Sequence, residues 1–288
     1  MPVKQIGRSW ADGGERMPDP SQLPWLLRLL DDDSPEVRTA VRDQFASFGD
    51  KLEDYLDTLE LPRTERERGL IESLVREGRR RRLRDGWEML ASVHGDKPLL
   101  EAGQDLVSRF LRRDRAGRSL PEELDVLADG FGTGTRDQDP LSLAEYLFRT
   151  RGLTGDRETC DDPAGSDLHR VITTGKGLPI SLVSIYILVA HRLGLRVEGC
   201  NLPGHFLALA DHGGRTFVVD CFNDGTVLLD ADLARLSAHA PVRTVDLAAL
   251  KCDAHVILAR VLRNLTAALR RKGDEQSLED ASLLEKLS

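Results

Sequence analysis

The sequence is poor in cysteine, lysine and aromatic side chains, and it holds no long apolar run. Four cysteines, Cys160, Cys200, Cys221 and Cys252, are scattered over 288 residues with no C-x-x-C pair. That spacing excludes a disulfide framework and a structural zinc site, and it fits a reducing cytoplasm, the expected location. Positive charge is not in excess: 40 Lys and Arg stand against 48 Asp and Glu, for a net charge of −8. General affinity for nucleic acid or an anionic membrane needs a cationic face, which this balance does not offer. The most apolar stretch, Pro179 to Ala190, is shorter than the roughly 18 residues of a membrane span and carries two serines. The opening MPVKQIGRSWADGG lacks the apolar core of a signal peptide. Neither a membrane nor a nucleic acid is an expected partner.

What is present reads as helical first and mixed later, an α+β chain. Residues 1–21 are polar and rich in Gly, Asp and Pro, the pattern of a flexible tail. Over 22–62, Leu23, Leu26, Leu27, Leu29 and Leu30 form an apolar cluster broken by Asp31-Asp32-Asp33. Ser34-Pro35 is an N-cap and first-turn pair, and Val37, Val41, Phe45 and Phe48 follow at helical spacing. Leu52, Leu56 and Leu59 start a further helix. This Leu-Leu, Asp-rich turn, Pro-Glu-Val pattern resembles one HEAT-type repeat, or a plain helical cap. Residues 63–130 are again helical. The arginine run from Arg79 to Arg82, with Arg76 and Arg84, has no interleaved aromatics for base stacking and reads as a solvated helix face. The glycine-rich stretch 130–140 lacks the Gly-Lys-Ser/Thr of a phosphate loop and reads as a surface loop.

From 177 the pattern changes. Ile180 to Leu193 is apolar nearly all round, which predicts a buried helix, with Pro179 in its first turn and Gly194 as its C-terminal stop. Residues 195–202 read as a strand. Residues 205–210 and 215–220 flank Asp211-His212-Gly213-Gly214 and predict a hairpin, with 226–229 as a further edge strand. A two-residue turn at His212-Gly213 sets His205 opposite Asp220. Directly opposed side chains share a face, so the carboxylate would orient the imidazole and stabilise its charged form. The same two residues also fit a hydrogen-bonded core histidine and a cap for the turn Phe222-Asn223-Asp224-Gly225. Ser181, at the N-terminus of the buried helix, is the one hydroxyl placed to act as a nucleophile if His205 reaches it; otherwise it satisfies nearby backbone groups. From Asp253 to Arg271 an amphipathic helix returns, and a shorter one follows Gly273. No cofactor or metal site is expected: His205 and Asp220 share the hairpin with His212, but His212 sits at its tip, about 20 Å along the strand. His169, His191, His239 and His255 are isolated.

Gly177-Leu178-Pro179-Ile180-Ser181-Leu182, then Leu202-Pro203-Gly204-His205-Phe206, then Asp220-Cys221-Phe222-Asn223-Asp224-Gly225 resemble the SirB-type branch of the transglutaminase-like superfamily. Trp87, Leu100-Glu101 and Glu145-Tyr146-Leu147-Phe148 add to the likeness. Arg263-Asn264-Leu265 resembles the first helix of that branch's tetratricopeptide-like tail, here truncated. The resemblance implies a papain-like core over 63–250, a helix packed on an antiparallel sheet, and a helical hairpin over 251–288. It also implies a site built from a Cys at the helix N-terminus, a His on the next strand and an Asp on the one after. His205 and Asp220 match the last two. The Cys position falls on Pro179, and Ser181, two residues on, is turned about 200° around the helix axis. Gly165-Ser166 stands where the branch usually has Asn-Ser, and Asp220-Cys221 where it has Asp-Pro.

Two functions follow as expectations. The first is a scaffold without thiol acyl transfer that binds a protein or peptide, as implied by the branch's animal F-box member. The alternative is a hydrolase or acyltransferase on amide or ester substrates, with Ser181 attacking, His205 as general base and Asp220 orienting it.

Overall fold

The computed structural model describes residues 19–48, 52, 55–56, 65–112, 117–132, 138–158, 161–236 and 249–288, and the chain divides into two units, Met1–Arg81 and Arg82–Ser288. Cys160, His239 and Leu59 lie outside the described residues.

In the first unit, α1 (Leu23–Arg28) and α2 (Pro35–Ser47) flank the acidic turn. Ser34 caps α2 as its sequence predicts, its Oγ accepting the Val37 N–H at 3.3 Å, with Pro35 in the first turn. The Asp32 carboxylate accepts the Ser34 N–H, and the Arg38 guanidinium donates to the Asp32 and Asp33 carbonyls. Leu23, Leu27, Leu30, Val41, Phe45 and Phe48 form a core with Leu52, Leu56 and, from α3 (Glu65–Met89), Ile71 and Val75. Leu29, expected in the apolar cluster, is instead exposed. Along α3, Arg76, Arg79, Arg80 and Arg82 are half-buried and each has a partner, so the run is not a wholly solvated face.

The second unit is built around a buried helix. Helices α4 (Asp96–Leu111), α5 (Leu120–Gly132), α6 (Pro140–Glu145, extended by one wide turn over Tyr146–Thr150) and α7 (Leu168–Thr174) pack against α8 (Pro179–Arg192). Every residue of α8 from Ile180 to Ala190 is buried, which is why its sequence is apolar on all sides. Gly194, at φ +69°, ends it: the Leu195 N–H reaches the Ala190 carbonyl and the Gly194 N–H reaches that of His191. This is a Schellman motif, and it needs a residue free to adopt positive φ. Helix α5 runs through Gly132, so the expected loop at 130–140 begins inside a helix; 133–137 lie outside the described residues.

Polar ties fix the surrounding helices to α8. Arg192 donates two hydrogen bonds to the Glu101 carboxylate, at 2.7 and 2.8 Å, and one to Asp125 at 2.6 Å. The Tyr186 hydroxyl donates to the Pro140 carbonyl at 2.5 Å, and Gln104 Nε2 donates to Ser184 Oγ at 3.2 Å.

The other flank of α8 meets an antiparallel sheet of order β6-β5-β4-β3-β7: β3 is Val197–Cys200, β4 Leu207–His212, β5 Arg215–Asp220, β6 Thr226–Leu228 and β7 Lys251–Cys252. One face of the sheet presents Val197, Ala208, Ala210 and Val219 to the core that contains α8. The opposite face carries Cys200, Leu207, Leu209 and Val218 against Leu233 of α9 (Asp230–Leu236). Side-chain alternation along each strand separates the two cores. Thr154–Gly155 (β1) and Lys176–Gly177 (β2) form a separate short parallel pair. Helices α10 (Ala254–Lys272) and α11 (Glu275–Leu287) pack on each other, and α10 also packs on α4, where Leu258 fills the space a side chain at Gly103 would need.

The hairpin register corrects the expectation from sequence. The two-residue turn is Gly213-Gly214, not His212-Gly213, and His212 pairs with Arg215. Both glycines have positive φ, +57° and +76°, as the type I′ turn of a two-residue hairpin requires, and the Gly-Gly pair meets that demand without Cβ strain. The pairing therefore shifts by two residues. Ala208 faces Val219, and β4 begins only at Leu207, so His205 is not the cross-strand neighbour of Asp220.

Candidate functional site

The N-terminal end of α8 begins with Leu178 at the cap position, whose side chain makes no capping hydrogen bond, and Pro179 in the first turn. A short 3-10 turn, Pro163–Ser166, lies beside it, started by Asp162, whose carboxylate accepts the Ala164 N–H. The Ser181 hydroxyl donates to the Gly165 carbonyl at 2.7 Å, and Ser181 is only 1% exposed. A Cβ at Gly165 would stand 3.0 Å from Leu178 Cγ, so a side chain there would crowd this approach.

His205 is placed by its turn. The His205 N–H donates to the Leu202 carbonyl at 2.8 Å, and Gly204 between them has φ +81°. Pro at the second position and Gly at positive φ in the third are the signature of a type II turn. Leu202-Pro203-Gly204-His205 thus has a local reason to exist: it turns the chain from β3 into β4. The His205 ring is half-buried and makes no hydrogen bond or ion pair among the described residues.

Asp220, the last residue of β5, is nearly buried, and its carboxylate is fully engaged. One oxygen accepts the N–H groups of Phe222 (3.1 Å) and Asn223 (3.2 Å), and the other accepts Asn223 Nδ2 (2.7 Å). It caps the 3-10 turn Cys221–Asn223. The segment after it is pinned to β1 and its neighbour. Thr154 Oγ1 donates to Asp224, Arg157 donates to Asn223 Oδ1 and lies over the Phe222 ring, and Phe222 packs where a Gly155 side chain would be.

Each of the three candidate residues therefore has its own surroundings, and no hydrogen bond joins Ser181, His205 and Asp220 to one another among the described residues. The three cysteines among the described residues offer no activated thiol. Burial raises the Cys221 thiol well above its ordinary value, and the neighbouring Asp220 charge adds to this. Burial lifts Cys200 to about 11 and, aided by Cys200, Cys252 to about 12. Thiols this hard to ionise are poor nucleophiles near neutral pH. No helix among the described residues is long and apolar enough to cross a membrane, and no cluster of His, Cys, Asp and Glu among them has the geometry to hold a metal ion.

Sequence reasoning singled out Gly165 only as a departure from the branch's pattern and not as the acceptor of the Ser181 hydroxyl, because only the fold brings residues sixteen positions apart together. Asn223 was detectable: an Asp three residues before an Asn at a strand end is a frequent side-chain-capped turn.

A family model described as the transglutaminase-like superfamily matches residues 114–263, just over half of the chain. A UPF0162 protein of Xylella fastidiosa (strain Temecula1) is 38% identical over 136 residues, covering 44% of this chain and 48% of that protein. A UPF0162 protein of Vibrio cholerae is 32% identical over 134 residues, 46% of this chain and 50% of that protein. F-box only protein 21 of Mus musculus is 30% identical over 119 residues, 39% of this chain but 19% of that protein. The match thus spans about half the length of the bacterial relatives and a fifth of the animal one. No solved structure matches. The buried helix on an antiparallel sheet, together with the matched span, places the chain in the transglutaminase-like superfamily.

Proposed function

We propose that this chain is a SirB-type transglutaminase-like protein that carries out no thiol acyl transfer and serves as a cytoplasmic scaffold for a protein or peptide. The observation that carries the reading is at the start of α8. The position where the superfamily's cysteine is expected holds Pro179, and the nearest hydroxyl, Ser181, is buried and spent on the Gly165 carbonyl. A serine is a nucleophile only with a base in hydrogen-bond reach, and no such bond supports the alternative of a Ser181-His205-Asp220 hydrolase.

The proposed organisation is a tail over 1–21, a HEAT-like segment over 22–62, the SirB-type domain over 63–250 and a tetratricopeptide-like hairpin over 251–288. The helix pair α1–α2 and the packed pair α10–α11 support it. The match to a small part of F-box only protein 21 supports a domain that serves within larger chains.

The test is acyl chemistry on the purified protein. Amide and ester hydrolysis and glutamine–amine transfer are expected at the rate of the His205→Ala variant. A rate well above background that His205→Ala abolishes overturns the reading.

A further inference from the structure

Two arginines of similar burial are treated very differently in the second unit. Arg192 is half-buried and takes two carboxylates, Glu101 and Asp125. Arg260, on α10, is also half-buried, yet among the described residues no carboxylate pairs with it. Its Nη1 donates to Asn201 Oδ1, and its guanidinium lies 5.1 Å from the centroid of the Phe206 ring. One turn further along α10, the exposed Arg263 is likewise without a carboxylate among the described residues. Acidic residues outnumber basic ones in this chain, 48 to 40, so carboxylates are not scarce.

A partly desolvated cation is costly unless it is paired. Burial and then the Arg263 charge hold the Arg260 guanidinium below the ordinary arginine value. Only one of its five N–H donors meets Asn201, and the guanidinium lies over the Phe206 ring. Asn201 and Phe206 bracket the Leu202–His205 turn, so this guanidinium is oriented by the loop that carries His205.

We propose that Arg260, oriented by Asn201 and Phe206 and supported by Arg263, is a docking site for a carboxylate of a peptide or protein partner. The planar fork suits a carboxylate, which accepts two parallel hydrogen bonds. The net charge of −8 disfavours an extended polyanion, so attraction is confined to the local Arg260–Arg263 pair and suits a short acidic segment. This inference deepens the scaffold reading and rests on it.

The experiment is fluorescence anisotropy on the full chain at low salt, with fluorescein-labelled hexaglutamate as probe and hexalysine and hexathymidylate as comparisons. Hexaglutamate is expected to bind, hexalysine not to bind, and added salt to weaken the complex. Arg260→Gln is expected to weaken hexaglutamate about tenfold, and Arg263→Gln about threefold, the difference between a forked charge-assisted pair and an exposed charge. Arg260→Lys, which keeps the charge but loses the fork, should fall between wild type and Arg260→Gln, and it carries the test if the Gln variant does not fold. Absence of hexaglutamate binding, or binding that Arg260→Gln and Arg260→Lys leave unchanged, overturns the proposal. Hexathymidylate binding as tight as hexaglutamate overturns the peptide assignment in favour of a phosphate site. These outcomes are separate from failure of the scaffold reading, which is read from acyl chemistry lost in His205→Ala.

Discussion

The two ends of helix α8 are held in opposite ways. At its C-terminal end, Arg192 gathers Glu101 of α4 and Asp125 of α5 through three charged hydrogen bonds, and Gly194 closes the last turn. At its N-terminal end there is no charge in the tie: Ser181 donates one neutral hydrogen bond to a backbone carbonyl, and the cap position has no side-chain acceptor. Cationic groups suit the C-terminal end of a helix dipole, so the first arrangement is favoured twice over. The second end is where the resemblance to the superfamily implies a nucleophile, and there the Ser181 hydroxyl is held by the Gly165 carbonyl.

The largest expected break is at the charged end. Arg192→Leu removes the partner of Glu101, whose side chain is 22% exposed, and should cost about 2 kcal/mol in urea unfolding, between an exposed and a fully buried pair because Asp125 is 62% exposed. Loss below half a kilocalorie per mole contradicts a structural role for this cluster. Mid-helix, Tyr186→Phe strands the buried Pro140 carbonyl and should cost about 1.5 kcal/mol in the same measurement. At the neutral end, Ser181→Ala leaves the Gly165 carbonyl without its donor and should cost about 1 kcal/mol while leaving the acyl-transfer background unchanged.

The smallest effect is a pH term away from α8. Burial alone would raise the Asp96 carboxyl, but the Lys97 ammonium and the Ala254 N–H outweigh it and hold the group below its ordinary value. A depressed carboxylate contributes stability above its unfolded value, about 3.9, and loses it as pH falls through the folded value. Asp96→Asn should therefore lower the melting temperature at pH 7 and converge with wild type as pH falls through the depressed folded value. A gap that stays constant as the carboxyl is protonated argues against the charge as the cause.

The sequence and the structure agree best where one residue type has one local job. Pro179 and Gly194 bracket α8, Ser34 caps α2, and Asp253 caps α10 by accepting the Val256 N–H. These signals are local, so they survive without knowledge of the fold. The hairpin was harder to read. His212 and Gly213 both sit within a plausible turn, and choosing between adjacent two-residue turns depends on which pair tolerates two positive φ angles. The structure selects Gly213-Gly214 and moves every cross-strand pair by two. The site was legible only in its residues. Ser181, His205 and Asp220 stand out in the chain, but what each one touches depends on Gly165, Leu202 and Asn223. Of these, only the last two are near enough in sequence to have been inferred. Arg260 carried no signal at all, because which groups surround a guanidinium is a property of packing.

The central claim is that the N-terminal end of α8 is structural. The most direct measurement is labelling of the folded protein with a serine-directed fluorophosphonate, compared between wild type and Ser181→Ala. Equal, background labelling of both is the predicted result. Labelling of wild type that disappears in a Ser181→Ala variant with an intact melting transition would contradict it, and would show that the hydroxyl held by Gly165 is free to attack.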